Sequence, residues 1–105
     1  MSVTLSSEYL AWIKKKGVSE CCTEGEPGYL ALWLLGEIEA NNKAYRVPLY
    51  APGFLGFGTD GGGELLAFDA SGAVFKLPLV GMEPKCAQRI ADSWNEICQR
   101  IDLQA

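Results

Sequence analysis

Histidine is absent from the 105-residue chain. That removes the commonest general base, the Ser-His and Cys-His dyads and the commonest metal ligand. Carboxylates and lysine remain, but no acidic pair lies in an apolar stretch that would drive two carboxyl pKa values apart. No residue is therefore assigned a catalytic, cofactor-binding or metal-binding role, and the expectation is a non-enzyme with no cofactor. Positive charge is also scarce. Nine Lys and Arg stand against thirteen Asp and Glu, for a formal net charge of −4 and a pI near 4.7. Nucleic-acid binding needs a basic patch to neutralise phosphates. The one basic run, Lys14-Lys15-Lys16, reads as the solvated end of a helix, where cations suit the helix dipole. Long hydrophobic runs are missing as well. The longest, Tyr29 to Leu35, has the length of a strand, whereas a membrane span needs ~20 residues. The first residues lack a basic segment followed by an apolar core, so no signal peptide is read and the expected location is the cytoplasm.

Four cysteines stand at positions 21, 22, 86 and 98. Cys86 and Cys98 fall on one predicted helix, whose rise per residue holds them roughly 18 Å apart, too far to pair. The adjacent Cys21-Cys22 is strained as a bridge, and the spacing is not that of a zinc pair. All four are expected to be reduced, with Cys98 filling core and Cys21 and Cys22 in a loop.

The chain length fits one domain over residues 1–105, and 49% hydrophobic content suffices for one core. Ser6 or Ser7 caps a first helix over about residues 6–16, with Glu8 in its first turn and Gly17 ending it. Leu5, Tyr9, Trp12 and Ile13 form its apolar face. Residues 17–28 carry glycines, Pro27 and glutamates and read as loop. Tyr29 to Leu35 suits a strand buried on both faces. A short polar helix follows over Glu37 to Asn41. Tyr45 to Tyr50 reads as extended, confined by Pro48 to a sheet edge or a loop. Phe54–Gly58, Glu64–Asp69 and Ala73–Leu79 read as strands. Their short connections, among them the Ala70-Ser71-Gly72 turn, make an antiparallel meander. From Pro84 onward, Ala87, Ile90, Ala91, Trp94, Ile97, Cys98 and Ile101 fall on one helical stripe. The predicted fold is α+β: a central, mainly antiparallel sheet with an N-terminal helix and a long C-terminal amphipathic helix packed on it.

The stretch Gly56-x-Gly58-x-x-Gly61 matches a dinucleotide fingerprint in letters only. That fingerprint needs a following helix to hold the pyrophosphate, and here Gly62, Gly63 and a strand follow. Asp60, Glu64 and Asp69 are too few, and too spread over different elements, for a calcium loop. The remaining reading is a glycine-rich hairpin whose glycines allow positive φ and close backbone approach, with Asp60 closing an Asx turn.

The same hairpin carries a resemblance. Phe57-Gly58-Thr59-Asp60-Gly61-Gly62-Gly63-Glu64, leading into Leu65-Leu66-Ala67-Phe68-Asp69, resembles the signature of the SUKH superfamily, the Smi/Knr-like domain. Leu5-Ser6-Ser7-Glu8-Tyr9-Leu10 is similar to that family's opening helix, and Ser93-Trp94-Asn95-Glu96-Ile97 to its closing one. Leu35-Gly36-Glu37-Ile38 and Asn42-x-x-Tyr45 resemble the linker between them. The usual Asn-Gly-Gly after the first helix is replaced here by Lys16-Gly17-Val18. The resemblance implies an interaction domain, such as an immunity protein neutralising a bacterial toxin, often a nuclease, or a general scaffold or regulatory module. An acidic chain suits a basic protein partner. The partner-binding candidates are Asp60, Glu64 and Asp69 around the hairpin, and Glu20, Glu24 and Glu26 in the earlier loop. Asp60 and Asp69 also read as turn caps, and Trp33 reads as core.

Overall fold

A computed structural model describes residues 3–101 as an α+β fold built on a six-stranded sheet. Every neighbouring pair of strands is antiparallel, and the strands lie in chain order: β1 (Glu20–Cys22), β2 (Tyr29–Leu32), β3 (Leu55–Thr59), β4 (Glu64–Phe68), β5 (Val74–Pro78) and β6 (Gln88–Ala91). Helix α1 (Ser7–Lys16) precedes the sheet. Helices α2 (Ile38–Ala44) and α3 (Val47–Tyr50) fill the β2–β3 connection, and α4 (Trp94–Cys98) follows β6.

Helix α1 follows its sequence signals. The Ser6 hydroxyl accepts from the Tyr9 N–H, and Gly17 closes the helix in the left-handed conformation with its N–H on the Ile13 carbonyl. Tyr9 is fully buried, and Leu5, Trp12 and Ile13 pack beside it. In β4 successive side chains alternate between two cores. Leu66 and Phe68 join Tyr9, Leu30, Leu32, Phe57, Trp94 and Ile97 on the side of α1 and α4. Leu65 and Ala67 join Val47, Ala51, Leu77 and Met82 on the side of α3. The central strand is thus buried on both faces. Aromatic contacts hold the first core together. Tyr9 lies 4.7 Å from Trp94 edge-on and 5.0 Å from Phe57, and Phe57 stacks on Phe68 at 4.4 Å.

Several expectations need correcting. There is no long C-terminal helix. Residues 84–86 form a single 3₁₀ turn, Gln88–Ala91 is the edge strand β6 paired with β5, and only Trp94–Cys98 is helical. The stripe from Ala87 to Ile101 is helical in period, but the open edge of β5 offers Gln88–Ala91 backbone partners that a helix surface does not. Helix α4 starts anew at Ser93, whose hydroxyl accepts from the Glu96 N–H while the Glu96 carboxylate accepts from the Asp92 N–H. This is a near relative of the capping box. Cys86 and Cys98 therefore do not share a helix; all four thiols are free.

Residues 17–28 are not all loop, because Glu20–Cys22 pairs with β2 and places Cys21 and Cys22 on a strand. Strand β2 ends at Leu32 and is buried on one face only, through Leu30 and Leu32. Tyr45–Tyr50 is not extended. Arg46 takes φ 58°, and α3 begins behind it with Pro48 in the first turn, where a missing N–H goes unnoticed.

Candidate functional site

Two turns define the ends of β4, and in each an aspartate is occupied by the backbone. At the glycine-rich hairpin, Asp60 Oδ1 accepts from the N–H of Gly62 at 2.8 Å and of Glu64 at 3.3 Å. At the far end, Asp69 Oδ1 accepts from the Ser71 N–H and hydroxyl at 2.9 and 2.6 Å and from the Ala73 N–H at 3.2 Å. Both are Asx-type caps. Asp60 and Glu64 precede or open the five-residue strand that Asp69 follows, which separates them by about 17 Å. The six acidic candidates therefore do not form one rim: Asp69 lies apart.

Glu20, Glu24, Glu26, Asp60 and Glu64 belong to β1, β2, β3, β4 and the turns joining them. Tyr29 is the link. Its ring lies where a Cβ on Gly61 would fall, and its hydroxyl donates to the Glu20 carboxylate. Glu26 reaches across to Lys76 of β5 at 2.9 Å, and Glu64 approaches the same ammonium at 3.6 Å. The hydrogen bond that Lys76 donates to Glu26 raises the Lys76 pKa above its ordinary value, desolvation partly offsets it, and Glu64 and Asp60 add to the rise. Arg100 ties the same loop to the sheet edge. Its Nη1 donates to the carbonyls of Glu26 and Ile90, each at 2.9 Å, and its Nη2 pairs with Glu96. Glu24 is exposed, with its N–H on the Arg100 carbonyl at 2.7 Å.

Apolar side chains adjoin this acidic end. The Leu79 N–H donates to the Gly63 carbonyl at 2.9 Å, fixing the segment after β5 beside the glycine hairpin. Val80, next along that segment, is 92% exposed. The segment and α3 enclose a groove of about 620 Å3 lined by Tyr45, Tyr50, Leu79, Gly81, Met82 and Glu83. Leu49, also on α3, is 67% exposed. Trp33 is half-buried; its ring stacks on Tyr45 at 5.7 Å with planes 5° apart. Sequence reasoning missed Tyr45, Leu49, Tyr50 and Val80. The available signal was Pro48 as a first-turn residue, since a helix there turns Leu49 outward once Val47 is buried.

Chemically, this surface offers exposed apolar groups beside carboxylates, the composition of a protein interface with an apolar centre and a polar rim. Among the described residues no three His, Cys, Asp or Glu side chains gather as metal ligands, and no helix is long and apolar enough to cross a membrane. Compared with protein-family models and with curated proteins, the chain finds no match.

Proposed function

We propose that the chain is a protein-binding domain of the SUKH kind, acting in the cytoplasm as an immunity protein that covers a basic toxin domain of the nuclease type. No catalytic step belongs to this reading. The observation that carries it is the continuity of acid and apolar groups around the glycine hairpin. Glu20, Glu24, Glu26 and Glu64 supply negative charge at one end of the sheet, and Val80 and Tyr50 supply exposed anchors on the segment and groove that adjoin it. Apolar anchors in a charged rim give affinity at the centre and steering at the edge. A net charge of −4 extends that steering to a positively charged partner. The resemblance of Phe57–Asp69 to the SUKH signature points to the same class.

The test is co-expression with the protein that the adjacent gene encodes, assayed for toxicity on its own. The immunity reading predicts rescued growth and a copurifying complex. Copurification without rescue assigns the chain to the scaffold role instead, and neither rescue nor copurification removes the immunity reading. A saturable rise in melting temperature with a nucleotide or divalent metal would argue for an enzyme.

A further inference from the structure

A second surface lies at the other end of β2, away from the glycine hairpin. The C-terminal turn of α1 and the segment that follows β2 enclose a groove of about 220 Å3 lined by Ile13, Gly17, Val18, Ser19, Leu32, Trp33, Leu34 and Leu35. Ile13 and Leu32 form its floor, which belongs to the main core. Its walls are open: Leu34 is 62% exposed, Val18 41% and Leu35 36%. Exposed branched aliphatics around an apolar floor are uncommon on a small monomer and mark a place where something binds. The groove's geometry is fixed by the fold. The Leu32 N–H donates to the Ser19 carbonyl at 2.7 Å, and the Gly17 cap sets the direction in which the chain leaves α1.

The charge around the groove selects its occupant. Lys14, Lys15 and Lys16 form the last turn of α1 between the groove residues Ile13 and Gly17, and all three are exposed. None of them enters an ion pair among the described residues. Two carboxylates are near in sequence. Glu20 is held by the Tyr29 hydroxyl, and Glu37 is exposed in the 3₁₀ turn that begins at Leu35. The last turn of α1 thus carries three exposed ammonium groups next along the chain to the groove residues Ile13 and Gly17.

We infer that the groove between the end of α1 and Leu34–Leu35 docks an acidic segment of a protein partner, seating one bulky apolar side chain on Ile13, Trp33 and Leu34 while its carboxylates face Lys14–Lys16. The surface is opposite in charge to the acidic one proposed for the toxin and adjoins its groove where Trp33 stacks on Tyr45, so Leu34→Glu on one side and Val80→Glu on the other tell the two proposals apart. Lysines here act as point charges and set no fixed geometry. Specificity rests on the apolar anchor, and the charges set the rate of encounter and the salt dependence.

The probe is a set of three fluorescein-labelled peptides: a glutamate-rich peptide with a central Phe-Leu pair, the same peptide with that pair replaced by Ala-Ala, and a lysine-rich version that keeps Phe-Leu. Fluorescence polarisation at low and moderate salt is combined with amide chemical-shift mapping on the full chain. The first peptide is expected to saturate, to shift the amides of Val18, Leu34 and Leu35, and to weaken with salt; the other two bind about tenfold or more weakly. Leu34→Glu and the triple Lys14→Ala, Lys15→Ala, Lys16→Ala variant should each weaken the first peptide about tenfold or more. All four positions are exposed, so folding is expected to survive, and a retained amide spectrum checks it. Equal binding of the three peptides, insensitivity to Leu34→Glu, or shifts confined to other surfaces would overturn the inference. So would self-association of the unliganded chain that Leu34→Glu abolishes, which would give the groove to a second copy.

Discussion

Asn42 is the one buried polar side chain among the described residues, and every hydrogen bond it makes is to backbone. Its amide donates to the carbonyls of Ile38 at 2.7 Å and Gly56 at 2.9 Å, and its carbonyl accepts from the Gly56 N–H at 2.7 Å. It thus stands in for a neighbouring strand where β3 bulges between Gly56 and Gly58. Asn42→Ala leaves the Gly56 groups buried and unpartnered and should cost roughly 3 kcal/mol, read from chemical denaturation midpoints. The sequence marks residues 37–41 as a polar helix but gives no hint of this burial, because the partner lies fourteen residues on, in another element.

The glycines of the motif divide in the same way. A Cβ on Gly58 would stand 2.5 Å from the Ala31 carbonyl oxygen and 3.2 Å from the Leu32 Cα, so β2 and β3 could not keep their spacing. Gly61 has φ +81° and lies under the Tyr29 ring. Gly63 has open space and no positive φ. Gly58→Ala should therefore destabilise by about 1–3 kcal/mol or prevent folding, while Gly63→Ala stays within about 0.5 kcal/mol of the parent. A loss at Gly63 equal to that at Gly58 would contradict this division. The letters of the hairpin identify the motif; only the neighbouring strand and the Tyr29 ring tell which glycines it needs.

At the scale of elements, the meander β3–β5 and helix α1 were legible because caps, turns and periodicity agree there. The C-terminal region was not, because apolar periodicity alone cannot distinguish one long helix from a strand and a short helix in tandem. Ser93-x-x-Glu96 was the local signal for a new helix start. The reorganised end gives Arg100 its role: it closes the curled sheet by bridging the β1–β2 loop to β6. Arg100→Ala should cost about 2 kcal/mol and raise amide exchange selectively over residues 23–28. Uniform exchange changes would deny the staple.

The Lys76 cluster gives a pH dependence. The folded pKa of Lys76 is raised, chiefly by the hydrogen bond it donates to Glu26. The stabilisation is fully present below the unfolded lysine value, about 10.4, and is lost as pH rises through the folded value. Tyr9 acts in the same direction. Burial, reinforced by Cys21, pushes its phenol far up, so the unfolded chain releases that proton first, from about pH 10. Unfolding free energy should fall steeply above about pH 10, and Lys76→Gln should shallow the fall without removing it.

Across the whole molecule, charge and exposed apolar surface are unevenly placed. Carboxylates gather with Val80 and Tyr50 around the glycine hairpin, and lysines gather with Val18 and Leu34 at the other end of β2. Composition announced the net acidity but could not say where it accumulates. That depends on β1–β2 pairing bringing Glu20 and Glu26 to the hairpin, and on Asp69 being carried to the far end of β4. The acidic surface is the one the proposed toxin partner would meet. The most direct test is isothermal titration of the purified chain against the protein that the adjacent gene encodes, using the parent chain, Val80→Glu, Tyr50→Ala and Leu34→Glu. The account predicts saturable binding by the parent, a loss of about 2 kcal/mol or more for Val80→Glu and Tyr50→Ala at unchanged melting temperature, and parent-like affinity for Leu34→Glu. Affinity that ignores Val80 and Tyr50, or no binding by the parent, would contradict it.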